Sequence, residues 1–104
     1  MNSYDHVAFQ VGSLNKAIDF YVGKLGFALE FRSVNAEEQE AYAFLALADL
    51  RLELIQDLRD STFHKADPVP PYCPHLAVRV ADMTQAVQHL RQSGIPILRG
   101  PLDG

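Results

Sequence analysis

Apolar and polar positions along this chain change rhythm twice within its first twenty-five residues. His6, Ala8 and Gln10 alternate with Val7, Phe9 and Val11, the period of two that sends successive side chains to opposite faces of a sheet. Leu14, Ala17, Ile18, Tyr21, Val22 and Leu25 then recur at helical spacing and form one apolar stripe. Ser13 stands where an N-cap oxygen accepts a free backbone N–H, and Gly26 where a left-handed C-cap is needed. The pattern therefore predicts a strand followed by a punctuated helix. Three more strands are expected near Ala28 to Ser33, Ala41 to Leu47 and Arg51 to Gln56, separated by the polar stretch Asn35 to Glu40 and a turn at Asp49. The resulting order is βαβββ.

This unit begins again further along. Slid by 69 positions, DHVAFQVGSLNKAIDFY at Asp5 to Tyr21 aligns with PHLAVRVADMTQAVQHL at Pro74 to Leu90, so that His6 meets His75, Ala8 meets Ala77 and Val11 meets Val80. Such agreement is expected of a duplicated structural unit. In the second copy His75, Ala77 and Arg79 alternate with Leu76, Val78 and Val80, and Met83, Ala86, Val87 and Leu90 make the helical stripe between Asp82 and Gly94. A short third element is expected at Pro96 to Arg99. The prediction is one α+β domain over 1–104: a first βαβββ module at 1–57, a connection at 58–73, and a partial second module (βαβ) at 74–104. Two strands of the second module are expected to be missing.

The helical stripes need apolar partners, so Val7, Phe9 and Val11, and likewise Leu76, Val78 and Val80, should face the helices. That turns His6 and His75 to the opposite side. In the strand near Arg51 to Gln56, Leu52 and Leu54 join the helix-facing layer and leave Arg51, Glu53 and Ile55 on the other. Two histidines and a glutamate then share one sheet surface, a donor set that suits one divalent metal ion; ligand type alone does not choose among zinc, nickel, iron, cobalt and manganese, and the expected ion is zinc or nickel, with the other three possible. His64 and His89 read as surface residues, and Cys73 as structural, because no periodicity sets a histidine beside it.

Composition narrows the setting. A chain of 104 residues that is 48% hydrophobic suffices for one domain. A lone cysteine excludes an internal disulfide, and no apolar run approaches membrane-spanning length. The expectation is a cytoplasmic protein with no membrane partner. The net charge of -4, with no clustered basic face, supplies no counterion-release term for nucleic acid.

DHVAFQV with SLNKAIDFYVGKLGF, AFLALADLRLELIQ, and PHLAVRVADMTQAVQHLRQSGIPI together resemble the motifs of the vicinal oxygen chelate superfamily. That superfamily includes glyoxalase I, methylmalonyl-CoA epimerase, ring-cleaving dioxygenases and bleomycin- or fosfomycin-resistance proteins. The resemblance implies paired βαβββ modules in a curved mixed sheet, and His6, Glu53 and His75 match three of the family's metal-ligand positions. A fourth ligand, which also moves the proton in lyase-like members, has no match. The implied chemistry is Lewis-acid catalysis on a small 2-oxo compound through an enediolate. Alternatives within the resemblance are a metal-free module that sequesters a small molecule and an iron-dependent dioxygenase-like protein. Gln10 occupies a position resembling one that glyoxalase I usually fills with a glutathione-binding arginine, and Arg79, its repeat equivalent, offers an anion contact instead; both are candidate substrate-binding residues. The unpaired edge of an incomplete module favours a homodimer.

Overall fold

Leu52 and Leu54 are fully buried, and the first unit is arranged around them. A computed structural model describes residues 1–59 and 75–101, in two compact units, 1–67 and 68–104. The first unit contains β1 (Val7–Gln10), α1 (Leu14–Ile18) running on into a π-helical turn (Asp19–Lys24), β2 (Ala28–Asn35), β3 (Glu40–Leu47) and β4 (Leu50–Asp57). The strands form one mixed sheet in the order β1-β4-β3-β2. β1 runs parallel to β4, while β4 with β3 and β3 with β2 are antiparallel. The predicted βαβββ order is the observed one.

Register explains which side chains are buried. Leu52 lies opposite Val7 on one side and Leu45 on the other, and Leu54 opposite Phe9 and Ala43. Leu45 and Ala43 are fully buried, and Leu14, Ile18 and Phe27 complete the apolar layer between sheet and helix. The helical stripe expected from spacing faces this layer: its six positions are all buried or half-buried. Helix and sheet are also tied by polar contacts. The amide of Leu14, free of any intrahelical acceptor at a helix start, donates to Gln56 Oε1 at 2.8 Å, and Arg32 Nη2 donates to Asn15 Oδ1 at 2.7 Å.

The caps hold as the sequence suggests. Ser13 Oγ accepts from the Lys16 amide at 3.3 Å, and Gly26 takes a φ of 81°. The π turn is not written in the apolar spacing. Its wider winding still leaves Tyr21, Val22 and Leu25 half-buried, because the stripe broadens without leaving the sheet.

In the second unit α2 (Met83–Gln92) forms as predicted, with Asp82 Oδ1 accepting from the Gln85 amide at 3.0 Å and Gly94 at a φ of 73°. The strands expected at His75 to Val80 and Pro96 to Arg99 are absent: neither segment joins a ladder. A strand is held by a neighbour's N–H and C=O groups, and the described residues of this unit include no strand to supply them. Val78 and Val80 are correspondingly exposed. His64, Cys73 and most of the connection at 58–73 lie outside the described residues. No helix among the described residues is long and apolar enough to cross a membrane.

Leu52→Ala should lower unfolding free energy by about 2–5 kcal/mol, the range for emptying a buried leucine site, measured by urea denaturation. The loop between β3 and β4 holds Ala48 at a φ of 49°, where a Cβ costs about 1–2 kcal/mol and glycine gives back about 0.5–1 in chain entropy. Ala48→Gly should therefore raise the melting temperature by a few degrees, read by differential scanning calorimetry.

Candidate metal centre

The face of the sheet turned away from α1 is built by the other parity of each strand. Ala8 lies opposite Glu53, Glu53 opposite Phe44, and Phe44 opposite Phe31, so one transverse row crosses all four strands. His6 precedes β1 in step with Ala8. Its Nε2 stands 3.3 Å from Glu53 Oε1, with side chains 32% and 18% exposed. The flanking leucines thus do fix the face of Glu53, and the first unit brings two of the three expected ligands together.

A charged chain surrounds this pair. His6 Nδ1 is 2.6 Å from Asp5 Oδ2, Asp5 Oδ2 is 3.5 Å from Arg51 Nη1, and Arg51 Nε donates to Glu30 Oε1 at 2.8 Å. The hydrogen bond from His6, and then the positive charges of His6 and Arg51, hold the Asp5 carboxyl below its ordinary range. Glu30 reaches Arg51 through a β-bulge: register in β2 shifts between Leu29 and Phe31, and the extra residue is Glu30. Tyr4 fixes the other side of Arg51, its hydroxyl donating to the Arg51 carbonyl at 2.7 Å and accepting from the Arg51 amide at 2.8 Å.

Beside the charges lies an aromatic wall. Phe44 stacks on Phe31 with centroids 5.0 Å apart, and the His6 ring meets Phe44 edge-on at 5.0 Å. The Arg51 guanidinium sits 4.4 Å over the Phe44 ring, within cation–π range. Phe31 remains 45% exposed, so the wall continues into open surface next to the His6–Glu53 pair.

Sequence reasoning missed Asp5, Glu30 and the two phenylalanines. Phe44 was legible, since it breaks parity with Ala43 and Leu45. Asp5 was not, because it lies before β1 begins and strand alternation says nothing about it. Gln10 is exposed on the same face as His6, one strand over from Ile55. His75 and Arg79 are exposed residues of the second unit. Among the described residues no three His, Cys, Asp or Glu side chains gather as a ready metal cluster.

The donor chemistry of the His6–Glu53 pair fits a divalent ion. Two ligand atoms about 2.1 Å from one ion stand about 3.0 Å apart at a right angle and about 3.4 Å apart at the tetrahedral angle. The observed 3.3 Å falls within that window.

Known proteins agree with this architecture. A lactoylglutathione lyase of Escherichia coli O157:H7 is 29% identical over 101 residues, covering 95% of this chain and 75% of that protein. The trypanothione-dependent glyoxalase I of Leishmania major superposes with a TM-score of 0.77 at 26% identity, over 93% of this chain and 70% of that one. A mutant of the fosfomycin resistance protein FosX from Listeria monocytogenes, solved with Mn(II), shares the fold at a TM-score of 0.66 and 14% identity, over 92% of this chain and 72% of its own. The model of the Glyoxalase/Bleomycin resistance protein/Dioxygenase superfamily matches residues 3–104, and the chain belongs to that superfamily.

Proposed function

We propose that this protein is a metal-dependent lyase or isomerase of the glyoxalase type, acting on a small 2-oxo compound, with His6, Glu53 and His75 as ligands. The observation that carries the proposal is the 3.3 Å approach of His6 Nε2 to Glu53 Oε1 on the open sheet face, a spacing suited to adjacent ligands of one ion. The lyases among its relatives and a structural neighbour solved with Mn(II) support the same reading. The proposed ion is zinc or nickel, and the donor set is equally compatible with iron, cobalt and manganese. When bound, such an ion supplies Lewis-acid stabilisation of charge developing on two neighbouring substrate oxygens.

The chain's own residues supply the surroundings. Phe31 and Phe44 offer an apolar flank that sheds water from one side of the pair, which strengthens electrostatic interactions there. Gln10 lines the same face as a neutral hydrogen-bonding group, and Arg79 is assigned to grip a substrate carboxylate or phosphate through paired charge-assisted hydrogen bonds. We place the protein in the cytoplasm, acting as a homodimer.

Metal content of the purified protein, measured by elemental analysis after zinc or nickel loading, should approach one ion per chain and fall sharply in His6→Ala, Glu53→Ala and His75→Ala. Full stoichiometry in all three variants would remove this site, and a wild type that takes up no metal while binding small molecules would make it a sequestering module instead. On substrate, the neutral Gln10 predicts weak turnover of the glutathione hemithioacetal, since a lost guanidinium–carboxylate grip costs about 2–5 kcal/mol. Gln10→Arg should raise kcat/KM for that compound, and Arg79→Ala should lower it for a smaller carboxylate-bearing 2-oxo compound. Robust hemithioacetal turnover that ignores Arg79→Ala would overturn the assignment.

A further inference from the structure

Asp5 lies outside every pattern that identified the candidate ligands, yet it makes the shortest polar contact at the site: 2.6 Å from His6 Nδ1. An ionised carboxylate only accepts hydrogen bonds, so this contact requires the proton on Nδ1. In neutral imidazole the other nitrogen, Nε2, then carries the lone pair, and Nε2 is the atom that faces Glu53 at 3.3 Å. We infer that Asp5 is a positioning residue that fixes His6 in its Nδ1–H tautomer and turns the Nε2 lone pair toward the metal position, with Arg51 holding Asp5 in place. This rests on the metal reading of His6 and Glu53.

Three observations join in this assignment. Arg51 stands 3.5 Å from the same Asp5 oxygen that meets His6, so the guanidinium favours the charged, accepting carboxylate. Arg51 is itself immobilised by Glu30 at 2.8 Å, by the Phe44 ring beneath it at 4.4 Å, and by Tyr4 on its backbone. The His6 ring is held edge-on against that same Phe44, so its plane is set from a direction independent of Asp5. A ligating imidazole whose second nitrogen donates to a carboxylate gains in basicity and loses rotational freedom. The repeat places Pro74 where Asp5 stands, so the residue preceding His75 carries no acceptor side chain equivalent to that of Asp5.

The experiment compares wild type, Asp5→Ala and Asp5→Asn. Imidazole ¹⁵N shifts of His6 are read in metal-free protein at about pH 9, above the ordinary imidazole range, and zinc affinity by chelator competition. Wild type should show the Nδ1–H tautomer. Asp5→Ala should relax to a mixture with the Nε2–H form and lose about 10–100-fold in zinc affinity, with backbone amide shifts beyond the site unchanged. Asp5→Asn, whose amide oxygen still accepts from Nδ1, should keep the tautomer and lose less affinity. A wild type in the Nε2–H form, or an Asp5→Ala protein with unaltered tautomer and unaltered zinc affinity, would overturn the assignment. A wild type that binds no zinc while showing the Nδ1–H tautomer would sink the metal reading instead, so the two failures are told apart.

Discussion

The parallel pairing of β1 with β4 is the constraint on which the rest of the molecule depends. Val7 opposite Leu52 and Phe9 opposite Leu54 set an apolar row against α1, and burial of the two leucines makes a one-residue slip prohibitive, because it would turn Glu53 into the core. The same register that protects the core therefore delivers His6 and Glu53 to the opposite face. Core and site are two parities of one ladder.

That coupling explains how polar groups are tolerated here. His6, Glu53, Asp5 and Arg51 all retain contact with solvent, so none carries the full penalty of a buried charge. Phe44, the most buried side chain of the open face, is covered by Arg51, His6 and Phe31. The aromatic ring gives the charged chain a rigid floor, and the guanidinium over it links the Glu30 bulge in β2 to Asp5, just before β1.

What could be read from sequence follows from the range of the interactions involved. Strand and helix periods are local, and the elements of the first unit lie within a residue or two of expectation for most boundaries. The face of Glu53 was legible because Leu52 and Leu54 flank it, and the caps at Ser13, Gly26, Asp82 and Gly94 because cap chemistry is local. The π turn was not, since apolar spacing does not distinguish its winding from that of an α-helix, and neither were the bulge at Glu30 and the Glu30–Arg51–Asp5–His6 chain, which depend on register between strands distant in sequence. The segment His75 to Val80 has the alternation of a strand, but alternation only prepares a segment for pairing, and pairing needs a partner. The likeness between His6 and His75 is a statement about sequence, and the sequence itself differs at the residue before each histidine, Asp5 in one copy and Pro74 in the other.

The most direct test of the account is where on the sheet a paramagnetic ion is felt. In a Mn(II) titration followed by two-dimensional NMR, resonances of Ala8, Phe44 and Glu53 should broaden first, at substoichiometric ion, while Asn15 and Leu14 on the helix side stay sharp. Broadening that begins instead at the acidic pair Glu37 and Glu38, or that spreads evenly over both faces of the sheet, would contradict a metal centre on the face that the β1–β4 register creates.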